Sequence, residues 1–145
     1  MKMNKAGFTL LEILVVVLII TILSTIVGVN VISRSGEAKR DLARVQIETL
    51  KRALQHYSMD NGRYPTQRQG LGALCIPATT PPVPTKFPEG GYLESPVLPL
   101  DPWKQDYVYL VPGPVGYAYE NVSYGGDGEP DGEGEDADIS SAAPQ

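Results

Sequence analysis

Residues 7 to 20 read GFTLLEILVVVLII, with a single carboxylate, Glu12, at the head of a run of aliphatic side chains. From Ile13 to Ile32 the only polar interruptions are Thr21, Ser24, Thr25 and Asn30, and a helix that crosses a membrane needs roughly 20 such residues. A secretory signal peptide also begins with lysines, here Lys2 and Lys5, but its apolar core is usually about 7–15 residues and ends at a small-residue cleavage site. This run is longer, and no A-x-A sequence follows it. As a buried soluble helix it would have to be enclosed on all sides by the short remainder of the chain. The run therefore reads as a membrane helix, and the carboxylate at its head requires an explanation.

The chain after Gly36 is polar, acidic and rich in glycine and proline. Beyond Lys104 it has no Lys or Arg, while Asp106, Glu120, Asp127, Glu129, Asp131, Glu133, Glu135, Asp136 and Asp138 follow. Nucleic-acid binding, which needs a basic face, is excluded as a function class. The 145 residues leave room for one membrane segment and one small domain. Lys2 and Lys5 precede the span, but Arg34, Lys39, Arg40 and Arg44 follow it, so a Lys/Arg count alone would place the N-terminus outside.

Between Gly36 and Tyr57 the pattern becomes amphipathic. Ala43, Ile47, Leu50, Leu54 and Tyr57 fall on one stripe of a 3.6-residue period. Arg44, Glu48, Lys51, Arg52 and Gln55 fall opposite, with Glu48 placed to support Arg52 four residues on. The two patterns predict one helix from about Phe8 to Tyr57, with Gly28, Asn30 and residues 33–36 as points where it could bend. DNGRYP at 60–65 is a turn signal. Residues 69–76 read as a short helix, and the proline-rich 79–88 as an irregular loop. DPWKQDYVYLVPG at 101–113 predicts a turn at Asp101-Pro102 and a strand over 106–111. A second strand is predicted over 117–122, reached through Gly113, Pro114 and Gly116. The fold class is α+β, a long helix packed on a small antiparallel sheet.

Candidate chemistry is sparse. The single cysteine, Cys75, can form no internal disulfide, and the only histidine, His56, lies at a helix-surface position. Neither they nor Asp101 and Trp103 make a catalytic constellation. Asn121-Val122-Ser123 matches a glycosylation sequon that carries little weight. SYGGDGEPDGEGEDADI at 123–139 is a glycine and acid tract whose like charges repel, so alone it reads as a solvated loop. A calcium ion, which takes about 6–8 carboxylate and carbonyl oxygens, would reverse that. Counted from Asp127, the acids Glu129, Asp131 and Asp138 with Gly132 approximate an EF-hand loop, although no helical pattern flanks it.

GFTLLE at 7–12 and the apolar run after it resemble the prepilin-type leader and N-terminal helix of type IV pilins and pseudopilins. DNGRYPTQRQGLGAL (60–74), FPEGGYL (87–93), LPLDPWKQDY (98–107) and DADI (136–139) are similar to the major pseudopilins of type II secretion systems. The resemblance runs from Gly7 to about Ile139. It implies a pilin-like fold with a cleaved leader at 1–7, a transmembrane and filament-core helix at 8–32, an amphipathic periplasmic half at 33–58 and a globular domain at 59–145. It also implies that a prepilin peptidase cuts between Gly7 and Phe8 and methylates the Phe8 amine, removing Lys2 and Lys5 with the leader. Glu12 then becomes an assembly device, its intramembrane carboxylate paired with the Phe8 amine within one subunit or between staggered subunits.

The implied function is structural and not enzymatic. The chain would be a subunit that polymerises with its own copies and with minor pseudopilins into a periplasmic pseudopilus. An inner-membrane assembly platform and a cytoplasmic ATPase would drive that filament to export folded proteins. A type IV pilus or DNA-uptake pilin is the alternative; the single cysteine disfavours it, because such pilins commonly close a C-terminal disulfide loop. The implied topology is a single pass in bacterial inner-membrane lipid, N-terminus cytoplasmic and globular domain periplasmic. The implied calcium ligands are Asp127, Asp136 and Asp138 with the carbonyls of Tyr124 and Glu129. This set is preferred to the EF-hand count, and its role is to fold the C-terminal loop onto the sheet.

Overall fold

The structure, a computed structural model, describes residues 8–142, and within 25–34 it describes the backbone alone. The element order is helix α1 (Leu10–Asn61), a 3-10 turn at Leu71–Leu74, strands β1 (Val108–Leu110) and β2 (Glu120–Ser123), a 3-10 turn at Gly134–Asp136, and strand β3 (Ile139–Ser140). The chain divides into two compact units, residues 1–36 and 37–145.

In the first unit α1 begins at a side-chain cap. Thr9 is the residue before the first helical turn, and its Oγ1 accepts the Glu12 amide at 3.2 Å. Thr-x-x-Glu is the capping-box pattern, and an acid in the first turn also faces the positive end of the helix dipole. Thr21 and Ser24 return their hydroxyls to the carbonyls of Val17 and Ile20, each at 2.8 Å, which removes the cost of polar groups in an apolar run. The backbone is helical through Gly28, Asn30 and residues 33–36. Among the described residues no helix is long and apolar enough to cross a membrane. The described side chains of the apolar run stop at Ser24, and the remainder of the expected span lies outside them.

In the second unit the predicted stripe is the core. Ala43, Leu50 and Leu54 are 0% exposed, with Ile47 and Tyr57 at 2% and 1%. Burial of each large member is worth about 1.5–3 kcal/mol. The stripe packs on Leu71, Leu74, Tyr107, Tyr109 and Ile139. Of the opposite face, Glu48 pairs with Lys51 at 3.1 Å. α1 runs about one turn past Tyr57 because Ser58 to Asn61 keep the helical pattern until Gly62 (φ +72) returns its amide to the Ser58 carbonyl at 2.8 Å.

The sheet is antiparallel in the order β1-β2-β3, with Val108 opposite Val122 and Ser123 opposite Ile139. Both predicted strands are shorter than expected. Val111 and Tyr109 give their outer-edge groups to the Gln67 amide (2.6 and 2.7 Å). Tyr117 closes a turn to the Pro114 carbonyl at 2.9 Å, so β2 starts only at Glu120. The expected helix at 69–76 reduces to the 3-10 turn. β3, two residues long, carries no periodicity to read.

Tyrosines bind the remaining loops. Tyr92 stands 5.3 Å from Tyr57 and 5.5 Å from Phe87, ring centre to ring centre. Tyr64 lies 4.6 Å from Tyr119. Tyr109 Oη donates to the Pro65 carbonyl at 2.9 Å, and Tyr107 Oη to Gln46 Oε1 at 2.6 Å. Burial, reinforced by neighbouring acids or phenols, raises the phenols of Tyr107 and Tyr109 and pushes Tyr119 up to about 12. In the unfolded chain these phenols ionise near their ordinary value of about 10. Their contribution to stability is therefore complete below that value and is lost as pH rises through the folded values. In an alkaline titration the phenolate absorbance of these tyrosines should appear together with loss of the far-ultraviolet helix signal. Complete phenolate formation near pH ~10 with the helix signal intact would show that they are not desolvated.

Candidate functional site

Two regions carry the residues singled out above. At the N-terminus, Gly7 lies outside the described residues. Phe8 is 78% exposed and Glu12 is exposed on the first turn of α1. From Leu10 to Leu23 every large apolar side chain of the helix is between 43% and 84% exposed, so no other part of its unit covers it.

The C-terminal loop connects β2 to β3 and folds around Asp136. A Cβ on Gly125 would come within 2.6 Å of the Asp136 carbonyl carbon, and one on Gly126 within 2.7 Å of Asp136 Oδ1. A Cβ on Gly132 would come within 2.6 Å of the Asp136 carbonyl oxygen. At Gly125 and Gly132 the facing atoms are backbone and only glycine permits the approach, whereas at Gly126 the facing atom is the end of the Asp136 side chain. Asp127 Oδ1 accepts the Glu129 amide at 3.1 Å, and Asp138 Oδ2 accepts the Asp131 amide at 3.2 Å. The carboxylates of Asp127 and Asp138 thus turn back on the loop's own backbone. Among the described residues no three of His, Cys, Asp and Glu are gathered closely enough to hold a metal ion. The EF-hand count fails on its flanks, because the tract is bounded by strands and not by helices.

The loop is held at its second bend by groups that sequence reasoning missed. Glu135 Oε1 accepts from Lys39 Nζ and from the Trp103 indole N–H, each at 3.0 Å. The indole bond, and after it the lysine, lowers the Glu135 carboxyl below its ordinary range. Arg40 Nη1 donates to the Gly134 carbonyl and, at 3.1 Å, to that of Ala137. Lys39 and Arg40 are visible in the sequence as charge, but the Glu135 that pairs with Lys39 lies 96 positions away.

The other candidates resolve into structure. Asp101, 2% exposed, organises the Asp-Pro-Trp turn: Oδ1 accepts the amides of Trp103 (3.0 Å) and Gln105 (2.8 Å), and Oδ2 accepts Ser123 Oγ at 2.7 Å. Cys75 is half-buried, where burial pushes its thiol up, opposite to the activation a nucleophile requires. His56 is exposed on α1. Asn121 is 0% exposed in the central strand, which closes the sequon to modification of the folded chain.

Residues 2–28 match the prokaryotic N-terminal methylation motif, and residues 30–142 match the type II secretion system (T2SS) protein G family. The chain belongs to the type II secretion system protein G family. It is 45% identical to type II secretion system core protein G of Vibrio cholerae over 95% of this chain and 92% of that one. It is 42% identical to the core protein G of Pseudomonas aeruginosa over 95% of each. The crystal structure of the major pseudopilin from the type 2 secretion system of enterohaemorrhagic Escherichia coli superposes with a TM-score of 0.65 at 36% identity, over 77% of this chain and 93% of that one. The pilin-like α+β fold implied by the sequence motifs is therefore the observed one. The match to protein G also decides against a type IV pilus or DNA-uptake pilin.

Within this protein G fold Asp101 joins the Asp-Pro-Trp turn to the start of the acidic loop. Asp101→Ala would strand two backbone donors and a buried hydroxyl, and should cost roughly 2–4 kcal/mol. Asp101→Asn keeps an oxygen for the two backbone amides and turns its NH2 toward the Ser123 hydroxyl oxygen, which can accept it, so it should cost less than half of that. Denaturant unfolding of the full chain, followed by the fluorescence of its single tryptophan, measures both.

Proposed function

We propose that this chain is the structural subunit of a type II secretion pseudopilus. The observation that carries the reading is the tandem order of the matches, a methylation motif over 2–28 followed directly by the protein G family over 30–142. The exposed apolar helix of the first unit supports it on physical grounds. Side chains such as Leu10, Leu14, Leu18 and Ile22, each more than half exposed in the single chain, require lipid before assembly and other helices after it. A prepilin peptidase cuts between Gly7 and Phe8 and methylates the new amine. The helix anchors the subunit in the inner membrane with its folded unit in the periplasm, until a platform complex adds it to a filament of its own copies and of minor pseudopilins. No step calls for catalysis by the subunit or for nucleic acid.

Glu12 holds two roles in this reading. Locally it is the first-turn acid of the Thr9 cap. In the filament it meets the methylated amine of Phe8, its own or a neighbour's. Gly7→Val should therefore leave an inserted but uncut precursor. Glu12→Ala should be cut yet yield no filaments on overexpression. Mass spectrometry of the mature N-terminus and electron microscopy of sheared filaments read the two outcomes, and normal filaments from Glu12→Ala would refute the pairing.

The same reading includes calcium at the C-terminal loop. The donors present, the carboxylates of Asp127, Asp136 and Asp138 and the carbonyls of Tyr124 and Glu129, are all hard oxygens of the type calcium takes. The glycine cradle around Asp136 brings backbone close to that carboxylate. Bound calcium would supply the positive charge that draws the acids of Asp127 and Asp138 together with Asp136. Asp131 contributes its amide and stands at φ +69, so its control substitution is glycine, because alanine there would add backbone strain of about 1 kcal/mol. Calcium at about a hundredfold excess over its dissociation constant should stabilise the full chain in detergent by about 2.7 kcal/mol. Asp127→Ala and Asp138→Ala should fall to the stability measured in chelator, and Asp131→Gly should keep the calcium response. A thermal midpoint indifferent to calcium would remove the metal from the reading.

A further inference from the structure

Of the acids from Asp127 to Asp138, Glu135 alone forms an ion pair among the described residues. It does so at a meeting of three distant segments. Lys39 comes from α1, Trp103 from the Asp-Pro-Trp turn, and Glu135 from the 3-10 turn of the loop. Both donors reach the same oxygen at 3.0 Å, and the Lys39 ammonium stands 5.9 Å from the centre of the indole ring, so each of the three side chains touches the other two. Arg40, the next residue of α1, grips the same turn through the carbonyls of Gly134 and Ala137. The Gly126 amide, donating to the Glu135 carbonyl at 3.1 Å, carries this anchorage across to the other arm of the loop. None of these groups belongs to the calcium ligand set proposed above, and their positive charge comes from the protein.

We propose that Glu135, seated between Lys39 and Trp103, is a metal-independent latch that docks the C-terminal loop on α1 and so positions Asp136 for the cation. The part of this inference that concerns Asp136 rests on the calcium reading; the latch itself does not. The loop then has two parts, joined by the Gly126 to Glu135 backbone bond. The Glu133 to Ala137 bend is held by lysine, arginine and indole in the absence of any metal, and the arc from Tyr124 to Asp131 is the part that calcium orders. A cation binding such a loop orders one arc of a docked segment and leaves the other already in place, which lowers the entropy lost on binding.

The single tryptophan of the chain is itself a latch residue and reports its state directly. In the full chain in detergent and chelator, Glu135→Ala should raise the acrylamide quenching constant of Trp103 about twofold. It should also speed cleavage after Glu133 by a glutamate-specific protease about tenfold, as expected when a charge-assisted contact that opposes local opening is removed. Lys39→Ala should do part of this, and the double variant should be no worse than Glu135→Ala alone. Glu135→Gln, which keeps an acceptor for the indole but not the charge for Lys39, should fall between and serves if the alanine variant fails to fold. Asp127→Ala should leave quenching in chelator unchanged. Wild-type quenching and cleavage for Glu135→Ala and Glu135→Gln in chelator, or strictly additive effects with Lys39→Ala, would overturn the latch. If calcium protects the wild type while these variants behave as wild type, the metal reading stands and the latch falls. If calcium changes neither readout but Glu135→Ala still loosens the loop, the latch stands and the metal reading falls.

Discussion

The burial of one stripe of α1 is the interaction on which the second unit depends. Its three strands are three, four and two residues long, far short of what a sheet needs for independent stability. Ala43, Ile47, Leu50, Leu54 and Tyr57 supply the apolar surface that the sheet and the loops cannot supply for each other. The helix is the scaffold, and the motif-bearing segments are folded against it.

Those segments are held largely by side chains bonding to backbone, a consequence of how little regular structure they contain. Asn61, at the end of α1, takes the Lys86 amide at 3.0 Å and donates to Tyr92 Oη at 3.1 Å, tying the proline-rich loop to the helix terminus. Gln67 completes the hydrogen bonding of the outer edge of β1. That edge would otherwise be open to pairing with another chain. Asp101 performs the corresponding task for the Asp-Pro-Trp turn. The conspicuous polar residues are thus spent on backbone satisfaction, which accounts for a chain rich in motifs and without a catalytic constellation.

The two ends of the molecule meet opposite physical demands. The first unit exposes the apolar side chains from Leu10 to Leu23. The loop in the second concentrates negative charge that must be offset before it can fold. Lys39 and Arg40 provide part of that offset from within the chain, and the glycines around Asp136 let the backbone close on itself where any Cβ would collide.

The long-period features were legible in the sequence alone. The apolar run, the amphipathic stripe and the Asp-Pro-Trp turn each follow from residue spacing or local chemistry, and all five stripe residues are buried as the period requires. The motif order also identified the family. Thr9 and Glu12 carry a readable capping signal in the spacing Thr-x-x-Glu. What the tertiary structure decided is non-local or very short. It set the extension of α1 to Gly62, the trimming of β1 and β2 by Gln67 and Pro114, the existence of β3, and the seat of Glu135 between Lys39 and Trp103. Among nine acids with no cation beyond Lys104, no local rule could single out Glu135. Its partners are chosen by the way α1 and the Asp-Pro-Trp turn pack, and that packing is a property of the folded chain as a whole.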